Sequence, residues 1–185
     1  MSIDDGFEGI KAAAVARLPG IDAALIDSEA RWMLHEFLAD TRIWKRLIRI
    51  PLVAGVATYQ LAQGFVGASP TPNGLDLTNE SVVLLLDARH EKAPLSPGFA
   101  FPDPTVTGAP RLIAMEDDAS VTIYPTPTAT EAGTNIYVRV ALTVLPQSLS
   151  SELPVALRPY YSYLLDGLLA RLYFMPDKPW TNTRL

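Results

Sequence analysis

Cysteine is missing from the chain altogether. Disulfides, thiolate metal sites and a cysteine nucleophile are therefore excluded. At 185 residues the chain is long enough to bury a sizeable core without such staples. Histidine is nearly missing too, with only His35 and His90. "HEFLA" (His35 to Ala39) begins like a zinc-protease helix, but Ala39 stands where the second histidine would be. Zinc needs three or four ligands, and two distant histidines do not supply them. His35 is expected on the polar side of a helix. No GxxxxGK[ST], GxGxxG or GxSxG motif occurs. No apolar run is long enough to span a membrane, because Asp166 and Arg171 interrupt the stretch from Tyr160 to Met175. The opening "MSIDDGFEGIK" is acidic and lacks the apolar core of a signal peptide. A surplus of positive charge is also absent: 15 Lys and Arg face 20 Asp and Glu, a net charge of −5. That argues against wrapping nucleic acid, while leaving room for a surface that DNA slides past.

Proline, by contrast, is abundant. There are 16, twelve of them from Pro51 to Pro154, where an average composition of about 5% would place fewer. The middle of the chain is thereby cut into short pieces. The ends are not. From Ala23 to Thr41 there is neither proline nor glycine, and Ala30, Met33, Leu34, Phe37, Leu38 and Thr41 recur at helical spacing. Asp22, after the break "LPG", can cap this helix. Glu29, Arg31, Glu36, Asp40 and Arg42 fall on the other side. Residues 4–18 have weaker helical character. A second strong helix pattern runs from about Pro154 to Met175, with Ser150 or Ser151 as cap and Pro159 forcing a kink or a late start. Its polar strip is narrow (Arg158, Ser162, Asp166), so it must be covered on most sides, by its own domain or by a neighbouring subunit.

Between the helices the period changes from helical to alternating. Ile48, Ile50 and Leu52 alternate with Leu47, Arg49 and Pro51, "VAG" reads as a turn, and "VATYQL" returns as a second strand. Residues 62–80 read as loop. "SVVLLLDA" reads as a buried strand. Residues 89–110 hold five prolines with Phe99 and Phe101 and read as a loop arm, longer than the usual limit for a structureless connection. "RLIAM" and "SVTIYPTP" form a hairpin around Glu116 to Asp118. "TNIYVRVALTV" is the clearest strand, with Ile136, Val138, Val140, Leu142 and Val144 on one face. The expected fold class is α+β. N- and C-terminal helices pack together, and a central antiparallel sheet or sandwich has five to seven short strands and long proline-rich loops. The expected organisation is a single domain of residues 1–185, with a helical part at 4–43 and 151–176, a β part at 44–148 and the loop arm at 89–110.

Few residues carry chemistry. The carboxylates of "EDDAS" (Glu116 to Ser120) suit an exposed turn better than a cation site or a glycosidase pair. No catalytic residue, metal site or cofactor is expected. Arg42, Lys45, Arg46 and Arg49 crowd four cations into eight positions and form the best charged candidate for a contact surface. A helix end facing solvent is the plainer account. "YFMPDKPWTN" (173–182) sets Pro176, Pro179 and Trp180 after the last helix, as a helix stop and an exit path. Tyr59, Tyr124 and Tyr137 would make a carbohydrate- or protein-binding platform if they shared an exposed face.

The order of four segments is similar to that of a known family. "RLPGIDAALIDSEARWMLHEFLADTRIW", "VATYQL", "VTIYPTPT" with "IYVRVALTVLP", and "LPVALRPYYSYLLDGLLARLYFMPDKPWTN" together resemble the head-to-tail adaptor (connector) proteins of tailed bacteriophages. The resemblance implies a non-enzymatic virion protein at the head-tail interface, assembled in the host bacterial cytoplasm. It implies a ring, usually of twelve copies, that docks beneath the portal protein and carries tail nozzle or fibre proteins. DNA would pass through its channel without sequence-specific binding. Subunit or portal contacts are expected at Arg42, Lys45, Arg46, Arg49, Phe99, Phe101 and Trp180.

Overall fold

The computed structural model describes residues 6–61, 80–91, 93–98, 105–117, 120–145, 155–176 and 178. The chain divides into two compact units, one of Met1–Trp44 with Thr143–Leu185 and one of Lys45–Leu142. The first is helical and the second is a β-sheet, so the α+β class holds.

In the helical unit, α1 (Phe7–Arg17) and α2 (Ala23–Thr41) are followed, after the sheet, by a short 3-10 turn (Val155–Tyr160) and α3 (Tyr161–Tyr173). α2 starts where its sequence says it should: the Asp22 carboxylate accepts from the Ala24 N–H at 2.9 Å. It ends at Arg42, in the left-handed conformation with φ 52°. α3 begins late because Pro159 lies in the preceding turn and has no N–H to give. The three helices share one core. Phe7, Ile10 and Ala14 of α1 meet Ile26, Ala30, Met33, Leu34 and Leu38 of α2 and Leu164, Leu165, Leu168, Leu169 and Leu172 of α3. Each such leucine, fully buried, contributes roughly 1.5–3 kcal/mol. Phe37 packs at the margin and Thr41 is exposed, so the outer end of the expected stripe leaves the core.

Ion pairs close the rims of this core. Lys11 on α1 meets Asp27 on α2 at 2.7 Å, and Arg31 meets the same carboxylate at 2.7 Å. Burial alone would raise the Asp27 pKa, but the bonds from Arg31 and Lys11 outweigh it and hold the carboxyl below its ordinary value. Arg171 on α3 reaches Glu29 at 3.0 Å and Glu36 at 2.6 Å. His35 is not simply a solvated helix residue. Its Nδ1 lies 2.8 Å from the Val144 carbonyl oxygen, and its own backbone carbonyl accepts from the Thr143 hydroxyl at 2.9 Å.

The sheet unit has seven strands: β1 (Lys45–Pro51), β2 (Thr58–Gln60), β3 (Glu80–His90), β4 (Pro94–Pro97), β5 (Leu112–Asp117), β6 (Ser120–Tyr124) and β7 (Asn135–Val144, its last two residues lying in the helical unit). Their order is β1-β7-β3-β4-β5-β6-β2. The β5–β6 hairpin forms as its sequence suggests, with Ile113 opposite Ile123 and Met115 opposite Val121. β7 buries Ile136, Val138, Val140 and Leu142 on the expected face, and Ala141 and Thr143 as well.

Three expectations need correction. The strands either side of "VAG" do not pair with each other: β1 pairs with β7, Ile48 opposite Val138 and Ile50 opposite Ile136, while β2 pairs with β6. The reason lies in Tyr59, which is fully buried. Its hydroxyl accepts from the Val53 N–H at 3.1 Å and donates to the Val56 carbonyl at 2.9 Å. The 53–56 segment thus closes around a side chain rather than into a two-strand ladder. Second, the sheet is mixed, because β4 and β5 are parallel. Third, the 89–110 segment is not all loop. β3 extends through His90, β4 occupies Pro94–Pro97, and Thr107 bridges Thr126. The expected loop at 62–79 lies outside the described residues.

Candidate functional site

The side chains that stand out from β1, β7 and β3 on one face make a charged surface linked across the strands. Alternation along β1 puts Lys45, Leu47 and Arg49 outward and Ile48 and Ile50 inward. On β7 the same face carries Asn135, Tyr137 and Arg139, with Leu47 opposite Arg139 and Arg49 opposite Tyr137. β3 adds Asp87 and Arg89, and Glu91 follows its end.

These groups are linked across the strands. Arg49 Nε donates to Asn135 Oδ1 at 2.9 Å, and the Asn135 amide donates to Glu91. Asn135, itself buried, therefore joins a cation on one strand to a carboxylate beyond another. The Arg89 guanidinium lies over the Tyr137 ring, 5.2 Å from its centroid. Arg139 Nη1 is 3.2 Å from Asp87 Oδ2, both side chains about half exposed. Such exposed pairs contribute little to stability, roughly 0–1 kcal/mol each. Their effect is on orientation: the cations are held in rows rather than left to sweep through solvent. Four cations (Lys45, Arg49, Arg89, Arg139) face two carboxylates (Asp87, Glu91) on a chain whose net charge is −5. A local positive field on an acidic protein selects carboxylate- or phosphate-bearing surfaces.

The four cations singled out by sequence are separated by the fold. Lys45 and Arg49 lie on this face. Arg46 points to the opposite face of β1 and is half-buried, and Arg42 caps α2 in the helical unit. Phe99, Phe101 and Trp180 lie outside the described residues, as does the turn of "EDDAS" at residues 118 and 119. Arg89 and Arg139, which complete the patch, were not singled out from sequence. Only the pairing of β7 with its neighbours brings them together, and no local motif signals it.

A second exposed feature lies along α3 and just past its end: Tyr163 is 68% and Phe174, the residue that caps the helix, 76% exposed. Tyr163 continues a short aromatic row, 6.5 Å from Tyr160, which is 6.0 Å from Phe37. The narrow polar strip read from sequence is exposed at Arg158, Ser162 and Asp166.

The tyrosine platform does not form, since Tyr59 is fully buried and its hydroxyl is spent on backbone groups. Burial pushes the Tyr59 pKa above its ordinary value, outweighing the Val53 bond. His90 is buried, 2.8 Å from the Thr134 hydroxyl and 3.6 Å from Glu131 Oε2. Thr134 in turn donates to the Glu131 carbonyl at 2.6 Å, so the cluster braces the turn before β7. Among the described residues no group of three or more His, Asp or Glu side chains converges to hold a metal ion.

The family model described as SU10 adaptor protein matches residues 7–183, across both units. No curated protein matches the chain.

Proposed function

The chain belongs to the SU10 adaptor protein family, a family of phage head-to-tail adaptors, and from that premise we propose that it assembles as a ring beneath the portal. There it extends the DNA channel and forms the platform for tail nozzle or fibre proteins. The single observation that carries this reading is the reach of the family match, which runs through the helices, the sheet and the C-terminal segment. Membership itself makes the chain a structural adaptor of the virion at the head-tail interface.

In this reading the chain acts without catalysis, as one adaptor module of residues 1–185. A ring of twelve copies forms in the host cytoplasm. The exposed aromatic side of α3 and the residues Phe99, Phe101 and Trp180 contact neighbouring copies or the portal. Tyr163 and Phe174 support that assignment, because exposed aromatic side chains are enriched at protein interfaces. The cations of β1, with Arg89 and Arg139 beside them, meet an acidic partner surface. Arg42 and Arg46 take contacts of the same kind elsewhere on the subunit. The excess of acidic residues over the whole chain lets DNA pass without sticking. Light scattering and negative-stain images of the purified chain with portal protein test the proposal. Rings that cap the portal are expected; a strict monomer that never binds portal would overturn it.

A further inference from the structure

The middle of the β1–β7–β3 face holds two arginines that no carboxylate of the described residues neutralises. Residues on this face fall into rows across the strands. Leu47, Arg139 and Asp87 make one row, Arg49, Tyr137 and Arg89 the next, and Asn135 and Glu91 the third. The outer rows are satisfied internally: Arg139 lies 3.2 Å from Asp87, and Glu91 accepts from the Asn135 amide. In the middle row, Arg49 gives its Nε to Asn135 at 2.9 Å and keeps both Nη groups unspent. Arg89 is engaged by the Tyr137 ring, 5.2 Å from its centroid, and keeps its whole donor fork. Both side chains turn toward the strand between them and are already held there, so little freedom is lost when an anion arrives. Two forks over one ring suit the two oxygens of a single carboxylate. Leu47, 45% exposed, adds an apolar contact one row away, about 7 Å along β1.

A carboxylate with matching surroundings stands on α3. Asp166 is 74% exposed, and Arg17, its ion partner among the described residues, lies 4.0 Å away with its own side chain largely in solvent. The α3 surface around it is uncharged, with Ser162, Tyr163 and Ala170 all exposed. Tyr163 stands one turn before Asp166 on the same side, about 5–6 Å from it along the helix surface. The other exposed carboxylates of the helical unit are spent or screened. Glu8 pairs with Lys11 and Glu36 with Arg171, both at 2.6 Å, Asp22 accepts from the Ala24 N–H, and Asp40 has Arg42 two residues on. An aromatic ring beside a carboxylate on α3 thus matches, in kind and spacing, an exposed leucine beside a cationic clamp on the sheet. We propose that the clamp of Arg49 and Arg89 over Tyr137 receives Asp166 of a second copy of this chain, with Tyr163 of that copy against Leu47. The contact joins two different patches, so every copy offers both halves and successive copies link into a ring.

The proposal rests on the adaptor reading above, and its test separates the two. Ring formation on portal protein is followed by light scattering and negative-stain images. The samples are wild type, Arg49→Glu with Arg89→Glu, Asp166→Lys, and an equal mixture of these two variants. Arg49, Arg89 and Asp166 are all exposed, so the variants are expected to keep the wild-type circular dichroism. Alone, each variant sets like charges against each other at every contact. The concentration needed for rings is then expected to rise at least about tenfold. In the mixture, alternating copies pair reversed with reversed and native with native, and the concentration is expected to return to within about threefold of wild type. Rings formed by either variant alone as readily as by wild type would overturn the proposal. So would loss in both with no recovery in the mixture, because the clamp would then hold a carboxylate of another protein. A wild-type chain that never binds portal would overturn the adaptor reading, and this proposal with it.

Discussion

Gly167 on α3 faces Met33 on α2: a methyl group added to the glycine would sit 3.5 Å from the Met33 Cγ and 3.7 Å from its Sδ. That is ordinary contact, so the glycine is not required by crowding. Gly167→Ala is expected to stabilise the protein by about 0.5–1 kcal/mol, because alanine removes the entropic cost of glycine within a helix. Gly167→Leu has no such room and is expected to destabilise by roughly 1–3 kcal/mol. Urea denaturation of both variants checks the pair of opposite signs.

Removing the Tyr59 hydroxyl leaves the Val53 N–H and the Val56 carbonyl to find other partners. Tyr59→Phe is expected to cost about 1–3 kcal/mol with little change in core volume. The same denaturation measurement applies, and a neutral result would mean that water replaces the hydroxyl.

The raised Tyr59 pKa also predicts an alkaline weakness. Burial keeps the folded-state phenol protonated to higher pH than in the unfolded chain. Its contribution to stability is therefore full below about pH 10, the ordinary tyrosine value, and is lost as pH rises through the folded-state pKa. Between pH 9 and pH 11 the wild-type chain should lose more stability than Tyr59→Phe, which subtracts the other tyrosines. Parallel losses in the two proteins would remove the assignment.

Asp22 supports the start of α2 through one bond to the Ala24 N–H. Asp22→Ala is expected to cost about 1 kcal/mol. Asp22→Asn should restore most of it, and thermal melts distinguish the two.

Charge reversal on the β7–β3 face should affect association rather than folding. The Arg139–Asp87 pair is about half exposed, so Arg89→Glu with Arg139→Glu is expected to change stability by no more than about 1 kcal/mol. Binding to the assembly partner should weaken at least about tenfold at low salt, with the difference shrinking as salt screens the surface. Sedimentation across a salt series reads both effects.

What was legible in the sequence was local. The capped α2, the late start of α3 at Pro159, the β5–β6 hairpin and the long β7 follow from periodicity, caps and turn residues acting over a few positions. What was not legible depends on pairing at a distance. Tyr59 carries no mark that its hydroxyl holds the segment before it. Nothing in "KRLIRIP" says that its partner lies about ninety residues on. The charged surface illustrates the same limit. A run of basic residues is visible in the sequence, but α2 keeps Arg42, alternation along β1 turns Arg46 away, and the neighbours that complete the patch come from β3 and β7.

The sheet also differs between its margins and its interior. β1, at one end of the strand order, carries Lys45, Arg46 and Arg49 and ends in Pro51, and β2, at the other, is three residues long. Charge, proline and shortness each discourage one sheet from adding to another side by side. Copies made at high concentration thus have guarded borders against fibre-like stacking.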